Sequence, residues 1–140
     1  MDFLKDAAAA AVEDQKSVVA LSKAMENLGL AHSQPAVEKF IGEMQLATGV
    51  ADTDLRPAYQ KLVTATGDVG KAHDLLALSM DISAATGKDL ASVSQAMSRA
   101  SLGQVSALTR LGIPLDANII KTKDFAAAQD VLTAKFGGQA

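Results

Sequence analysis

Few residues of this chain combine the types and spacings that do chemistry. Two pairs of nearby carboxylates, Glu13-Asp14 and Asp52/Asp54, are the acids placed for general acid/base work. That work needs a pKa displaced by burial or by a close like charge, and nothing around either pair signals such a shift. Helix capping and solvation account for both. The two histidines, His32 and His73, fall in different segments, at no metal-ligand spacing from each other and outside any HExxH frame. His32 reads as a linker residue and His73 as an exposed first-turn position. Gly67-x-x-Gly70 and Gly87-Lys88 carry parts of a phosphate loop, but neither has the full spacing or follows a strand. No G-x-S-x-G, Walker A or dinucleotide G-x-G-x-x-G occurs. Catalytic residues, cofactor-binding residues and metal ligands are therefore all expected to be absent.

Composition excludes further classes. With no cysteine there are no disulfides, thiolate nucleophiles or zinc-thiolate sites. The formal charge of −3 argues against a constitutive nucleic-acid binder, which needs clustered Lys and Arg to neutralise phosphates. Residues 1–54 hold nine acids and four bases, net −5, whereas residues 55–140 hold seven acids and nine bases, net +2. No apolar run approaches a membrane span, and the opening Met1-Asp2-Phe3-Leu4-Lys5-Asp6 has acids where a signal peptide has bases. The expectation is a soluble, unexported chain. Its 27 alanines, four Phe, one Tyr and no Trp predict closely packed helices with few large side chains to bury, hence moderate stability.

Helical periodicity runs through every segment, so the expected fold is all-α, a compact array of about six to seven short helices in hairpins. One domain covers 1–140, with 1–31 as an N-terminal helix and link and 33–140 as the array. The first helix is expected from Asp6 to Leu28, with Val18, Leu21, Met25 and Leu28 on one stripe. Its Ala7–Ala11 block has the highest helix propensity available. A second helix, capped by Ser33 with Pro35 in its first turn, turns Val37, Phe40, Ile41 and Met44 inward. The third is expected to start at Asp54 rather than Asp52, because that start puts Pro57 in the first turn, where no N–H is needed. Leu55, Tyr59, Leu62 and Val63 then face inward.

The fourth helix, from Asp68 to Thr86, is apolar around most of its circumference. It is expected to be central, with Leu75, Leu76 and Leu78 as its core positions. The fifth follows Asp89 to Ser101 with Leu90, Val93, Met97 and Ala100 on its inner face. A bend at Gly103 leads to a short sixth helix with Val105, Leu108 and Leu111, stopped by Gly112 and Pro114. Ile113 to Lys121 is expected to be a loop or a partly extended connection, and a last helix to begin near Thr122 and bury Phe125, Ala128, Leu132 and Phe136.

Three copies of Ala-Thr-Gly punctuate this series, ending in Gly49, Gly67 and Gly87, and each is followed within a few residues by an aspartate and a new apolar run. Glycine past a helix end takes the left-handed conformation that terminates it, and aspartate caps the next helix. Asp54, Asp68 and Asp89 are the expected caps.

These motifs also carry a resemblance. Thr64-Ala65-Thr66-Gly67-Asp68 through Leu75-Leu76, then Met80-Asp81-Ile82-Ser83-Ala84-Ala85-Thr86-Gly87-Lys88-Asp89-Leu90, then Ala107-Leu108-Thr109-Arg110-Leu111-Gly112-Ile113, resemble tail-length tape-measure proteins of long-tailed bacteriophages and prophages. Lys121-Thr122-Lys123-Asp124-Phe125 and Lys135-Phe136-Gly137-Gly138-Gln139-Ala140 continue the same block, so the resemblance covers about Phe40 to Ala140. It implies a helical, non-enzymatic structural protein that templates the tail tube, sets its length and leaves through the tip at infection. Made in the host cytoplasm, such a protein resides in the virion, in the tail-tube lumen, and is delivered toward the host envelope on ejection. The implied partners are tail assembly chaperones, tail tube and tail-tip proteins, with self-association, no specific nucleic acid, and membrane contact only in a longer parent protein. No cofactor is implied. Such proteins run to many hundreds of residues, so 140 residues correspond to one module of a longer chain or to a shortened relative.

Overall fold

The computed structural model describes residues 2–138, and for 2–14 the backbone alone. The expectations resting on the side chains of Ala7–Ala11, Glu13 and Asp14, and on Gln139 and Ala140, lie outside the described residues. Among the described residues there is no strand. Eight α-helices and one 3-10 turn follow one another, an all-α arrangement with one helix more than expected.

α1 (Asp2–Asn27) begins upstream of Asp6. No glycine or proline separates the two positions, and acids in a first turn complement the helix dipole, so nothing stops the helix there. Leu21 and Met25 of its stripe are fully buried, Val18 is half-buried, and Leu28 is exposed beyond the helix end. A 3-10 turn (Ala31–Ser33) leads into α2 (Gln34–Thr48), which buries Val37 and Ile41. Ser33 holds the cap position, but its side chain accepts no capping bond. Its backbone (φ −90°, ψ −4°) already belongs to the 3-10 turn and lacks the extended geometry of a cap.

α3 (Asp52–Thr66) corrects the expected start. Asp54 lies within the first turn and caps nothing, while Ala51 occupies the cap position. Two contacts hold the added residues in the helix: the Asp52 amide donates to Gln45 Oε1 at 2.9 Å, and its carboxylate pairs with Arg56 at 2.9 Å. Pro57 is consequently inside the helix, and its missing N–H leaves the Thr53 carbonyl without the usual intrahelical donor.

α4 (Val69–Thr86) starts after Asp68, whose side chain accepts from the Lys71 amide at 2.9 Å. α5 (Leu90–Ser101) starts after Asp89, which accepts from the Ser92 amide at 3.3 Å. α6 (Ser106–Arg110) is a turn and a half. The stretch from Ile113 to Lys121, expected to be a loop, contains α7 (Ala117–Thr122), opened by Asp116 accepting from the Asn118 amide at 2.8 Å. α8 (Phe125–Phe136) accordingly starts after Asp124 and not near Thr122, with Asp124 accepting from the Ala127 amide at 3.0 Å. α7 buries no residue, so no apolar period announces it in the sequence.

The hub is α3, which packs against α1, α2, α4 and α5. Leu55, Tyr59, Leu62 and Val63 are fully buried there. α4, expected to be central, is covered by α3, α5 and α8 and buries Leu75, Leu76 and Leu78. α3 carries more of the packing because Ala58 and Arg56 extend its buried face beyond the apolar stripe.

The ends of α1 to α6 come in two kinds. Gly49, Gly67 and Gly87 have φ of 78°, 64° and 76°, and each amide donates to the carbonyl four residues back. The preceding threonine completes the end. Thr48, Thr66 and Thr86 donate Oγ1–H to the carbonyls of Met44, Leu62 and Ile82 at 2.7, 2.9 and 2.7 Å. The same oxygens accept from the amides of Val50, Asp68 and Lys88, each at 3.3 Å. In Leu28-Gly29, Leu102-Gly103 and Leu111-Gly112 the side chain has no oxygen to offer. There the amide after glycine folds back onto the carbonyl five residues earlier, Leu30 to Met25 at 2.8 Å, Gln104 to Arg99 at 3.0 Å and Ile113 to Leu108 at 3.0 Å, the Schellman pattern.

Candidate functional site

The three aspartates expected to cap helices divide, with Asp68 and Asp89 at helix starts and Asp54 exposed within α3. Hydrogen bonds from the Ser92 side chain and then its backbone amide hold the Asp89 carboxyl below its ordinary range, with the Lys61 charge adding to the effect. Gly49, Gly67 and Gly87 sit at three separate helix ends, and Leu75, Leu76 and Leu78 are in the core, so these residues do not converge on one place. Among the described residues no group of three His, Cys, Asp or Glu side chains is placed to hold a metal ion, and no helix is long and apolar enough to cross a membrane.

Two polar clusters went unread in the sequence. Arg56, whose side chain is 9 % exposed, sets its guanidinium against Glu38 of α2, with Nε 3.0 Å from Oε1 and 3.2 Å from Oε2 and Nη2 2.8 Å from Oε1. Its Nη1 reaches Asp52 at 2.9 Å and donates to Ser17 Oγ of α1 at 3.1 Å. One cation of the basic half thus ties three helices, reaching α2 through Glu38 and α1 through Ser17 while pairing with Asp52 of its own helix. Its planar fork suits this, because several donors act at once in fixed geometry.

The second cluster corrects the expectation for His73, which is half-buried in the second turn of α4 rather than exposed in the first. Its ring stacks on Phe40 of α2 with centroids 3.9 Å apart and meets the edge of Tyr59 of α3 at 5.4 Å. Nδ1 lies 2.7 Å from the Val69 carbonyl and 3.0 Å from Tyr59 Oη. A carbonyl only accepts, so the shorter contact assigns the hydrogen to Nδ1, and the Tyr59 hydroxyl donates to the same carbonyl at 3.4 Å. Burial, with the Asp68 charge adding to it, pushes the Tyr59 phenol above its ordinary value of 10.0, so it stays a protonated donor. The arrangement orients two rings and joins three helices.

A shallow groove of about 490 Å³ runs along the outer sides of α3 and α5. On α3 it is lined by Gln60, Lys61, Thr64 and Ala65, and on α5 by Gln95, Ser98, Arg99 and Leu102. Its walls contain two cations and no acid. A smaller hollow of about 290 Å³ shares Ala65 with it and adds Lys71, Phe125 and Ala126, again without an acid.

No family model, curated protein or solved structure matches this chain.

Proposed function

We propose that this chain is a structural, non-catalytic module of a phage tail tape-measure protein, acting in tail-tube assembly, length determination and genome ejection within the virion. The observation that carries the proposal is the ordered series of motifs between Phe40 and Ala140, two of them containing Ala-Thr-Gly. Its support is consistent in character: the polar clusters around Arg56 and His73 join helices, and the aspartates at helix starts serve as caps. Short helices with alanine-rich faces also unfold at limited cost, which suits passage through a narrow tube. Tail assembly chaperones, tube subunits and tip proteins are the partners this role requires.

A helical interaction module, an adaptor, chaperone or regulator that binds a partner helix, is the alternative, and the groove between α3 and α5 favours it. Genetics in the parent phage separates the two. An in-frame deletion in a repetitive helical region of the parent, outside this module, shortens tails by about 1.5 Å per residue removed. Deleting the module itself abolishes assembly or infectivity. Tails of unchanged length after the ruler-region deletion, or a hydrolase activity that maps to residues of this chain, overturn the assignment.

A further inference from the structure

The geometry points to the α3/α5 groove as the seat of a helix supplied by another protein, an amphipathic helix with one apolar face and acidic flanks. Two observations set its shape. The α3 wall residues are spaced 60, 61, 64, 65 and the α5 wall residues 95, 98, 99, with Leu102 just past the end of α5 continuing the row, so each wall follows one helical face. Two adjacent helices presenting such faces leave the third position of a helical bundle open. Ser98, almost fully buried, and Ala65 keep the floor low enough for a helix backbone to approach, and Leu102, 67 % exposed, stands at its edge.

Charge selects the occupant. Lys61 and Arg99 lie along the groove and Lys71 borders the adjoining hollow, while neither lining contains a carboxylate, in a chain whose net charge is −3. Among the described residues no acid lies in ion-pair contact with Arg99 or Lys71, whereas Lys61 also lines a hollow on its other side together with Asp54 and Asp89, so Arg99 and Lys71 are the cations left for the incoming helix. An acidic flank on the incoming helix meets these cations, and a basic flank is repelled. An intact second copy does not fit. Among the described residues the exposed large apolar side chains are Val19, Leu28, Leu46, Leu102 and Val131, and no helix carries two of them three, four or seven apart. The apolar floor and the small number of cations likewise suit a helix better than a nucleic-acid backbone.

The test uses the whole chain and two fluorescein-labelled synthetic helices of about 14 residues, roughly four turns, with the same leucine face and either glutamate or lysine flanks. At low salt the glutamate helix binds at least about tenfold more tightly than the lysine helix. Arg99→Glu with Lys71→Glu erases that preference. Leu102→Asp weakens the glutamate helix about tenfold or more, while Leu46→Asp, at an 88 % exposed position on α2, changes nothing. Circular dichroism verifies folding of each variant, and Arg99→Glu alone, at an exposed position, decides the matter if Leu102→Asp does not fold. Equal affinity for both helices overturns the proposal, as does binding that ignores the groove variants. So does self-association abolished by Leu102→Asp, or an oligo-dT strand that binds through the same cations more tightly than the glutamate helix.

Discussion

The helix ends closed by Thr-Gly and those closed by Leu-Gly solve one problem in two ways. Both need a left-handed glycine, and both must satisfy the amide that follows it. At Leu28-Gly29, Leu102-Gly103 and Leu111-Gly112 that amide turns back to the helix, which keeps the chain folded against the end it has just left. At Thr48-Gly49, Thr66-Gly67 and Thr86-Gly87 the threonine hydroxyl takes the amide instead, and the chain leaves extended toward the next helix. The residues that open α3, α4 and α5, Ala51, Asp68 and Asp89, all have extended backbone. The three Thr-Gly ends therefore bound the stacked helices α2 to α5, and the Leu-Gly ends mark where the chain bends tightly.

The largest effect tests whether these ends or the packing between them dominate. Leu76, fully buried in the helix between Gly67 and Gly87, should cost about 2–5 kcal/mol on truncation to Ala, by lost transfer energy and the cavity left behind. Leu132→Ala in α8 should cost less, because α8 rests on α4 and the short α7 and its site can relax. Denaturant unfolding of both variants measures this, and an equal loss at the two positions would place α8 on a par with the α3–α5 interior. Next comes removal of Arg56. Arg56→Ala should destabilise by about 1.5–3 kcal/mol, below the value for a wholly buried pair because the Glu38 and Asp52 side chains, 25 % and 28 % exposed, can rehydrate.

Gly67→Val probes the left-handed requirement alone, because a Cβ built at Gly67 meets nothing within 4 Å. It should cost about 1–2 kcal/mol. Gly42→Ala, at an equally open position inside α2 without positive φ, should stabilise by about 0.4–1 kcal/mol. A stabilising Gly67→Val in thermal unfolding would dismiss the backbone account. Thr66→Val removes the hydroxyl that distinguishes the two kinds of end, for a loss of about 0.5–1.5 kcal/mol. Hydrogen exchange should localise that loss to the Asp68 amide and the last turn of α3, and unchanged protection there would show the hydroxyl to be dispensable.

The smallest effect depends on pH. The folded-state pKa of Asp89 is depressed, so its contribution is complete above the unfolded value near 3.8 and is lost as pH falls through the folded one. Asp89→Asn should flatten the stability curve below about pH 4 and leave its shape at neutral pH unchanged, as paired melts across that range would reveal.

What the sequence determined by itself was local. Helical period, the left-handed glycines and the Asp68 and Asp89 caps depend on bonds within about five residues, which neighbours along the chain specify whatever else is nearby. Asp116 and Asp124 are caps of the same kind and were equally present in the sequence, but α7 between them buries nothing and has no apolar period to point to it. Only the tertiary structure decided the start of α3, where Gln45 of the preceding helix holds the Asp52 amide. It alone buried Arg56, whose partners lie 18 and 39 residues away in Glu38 and Ser17, and drew His73 under Phe40. It also set the cationic faces of α3 and α5 side by side. Such contacts depend on which helices pack together, and a pattern of apolar residues leaves that choice open because many pairings bury the same stripes.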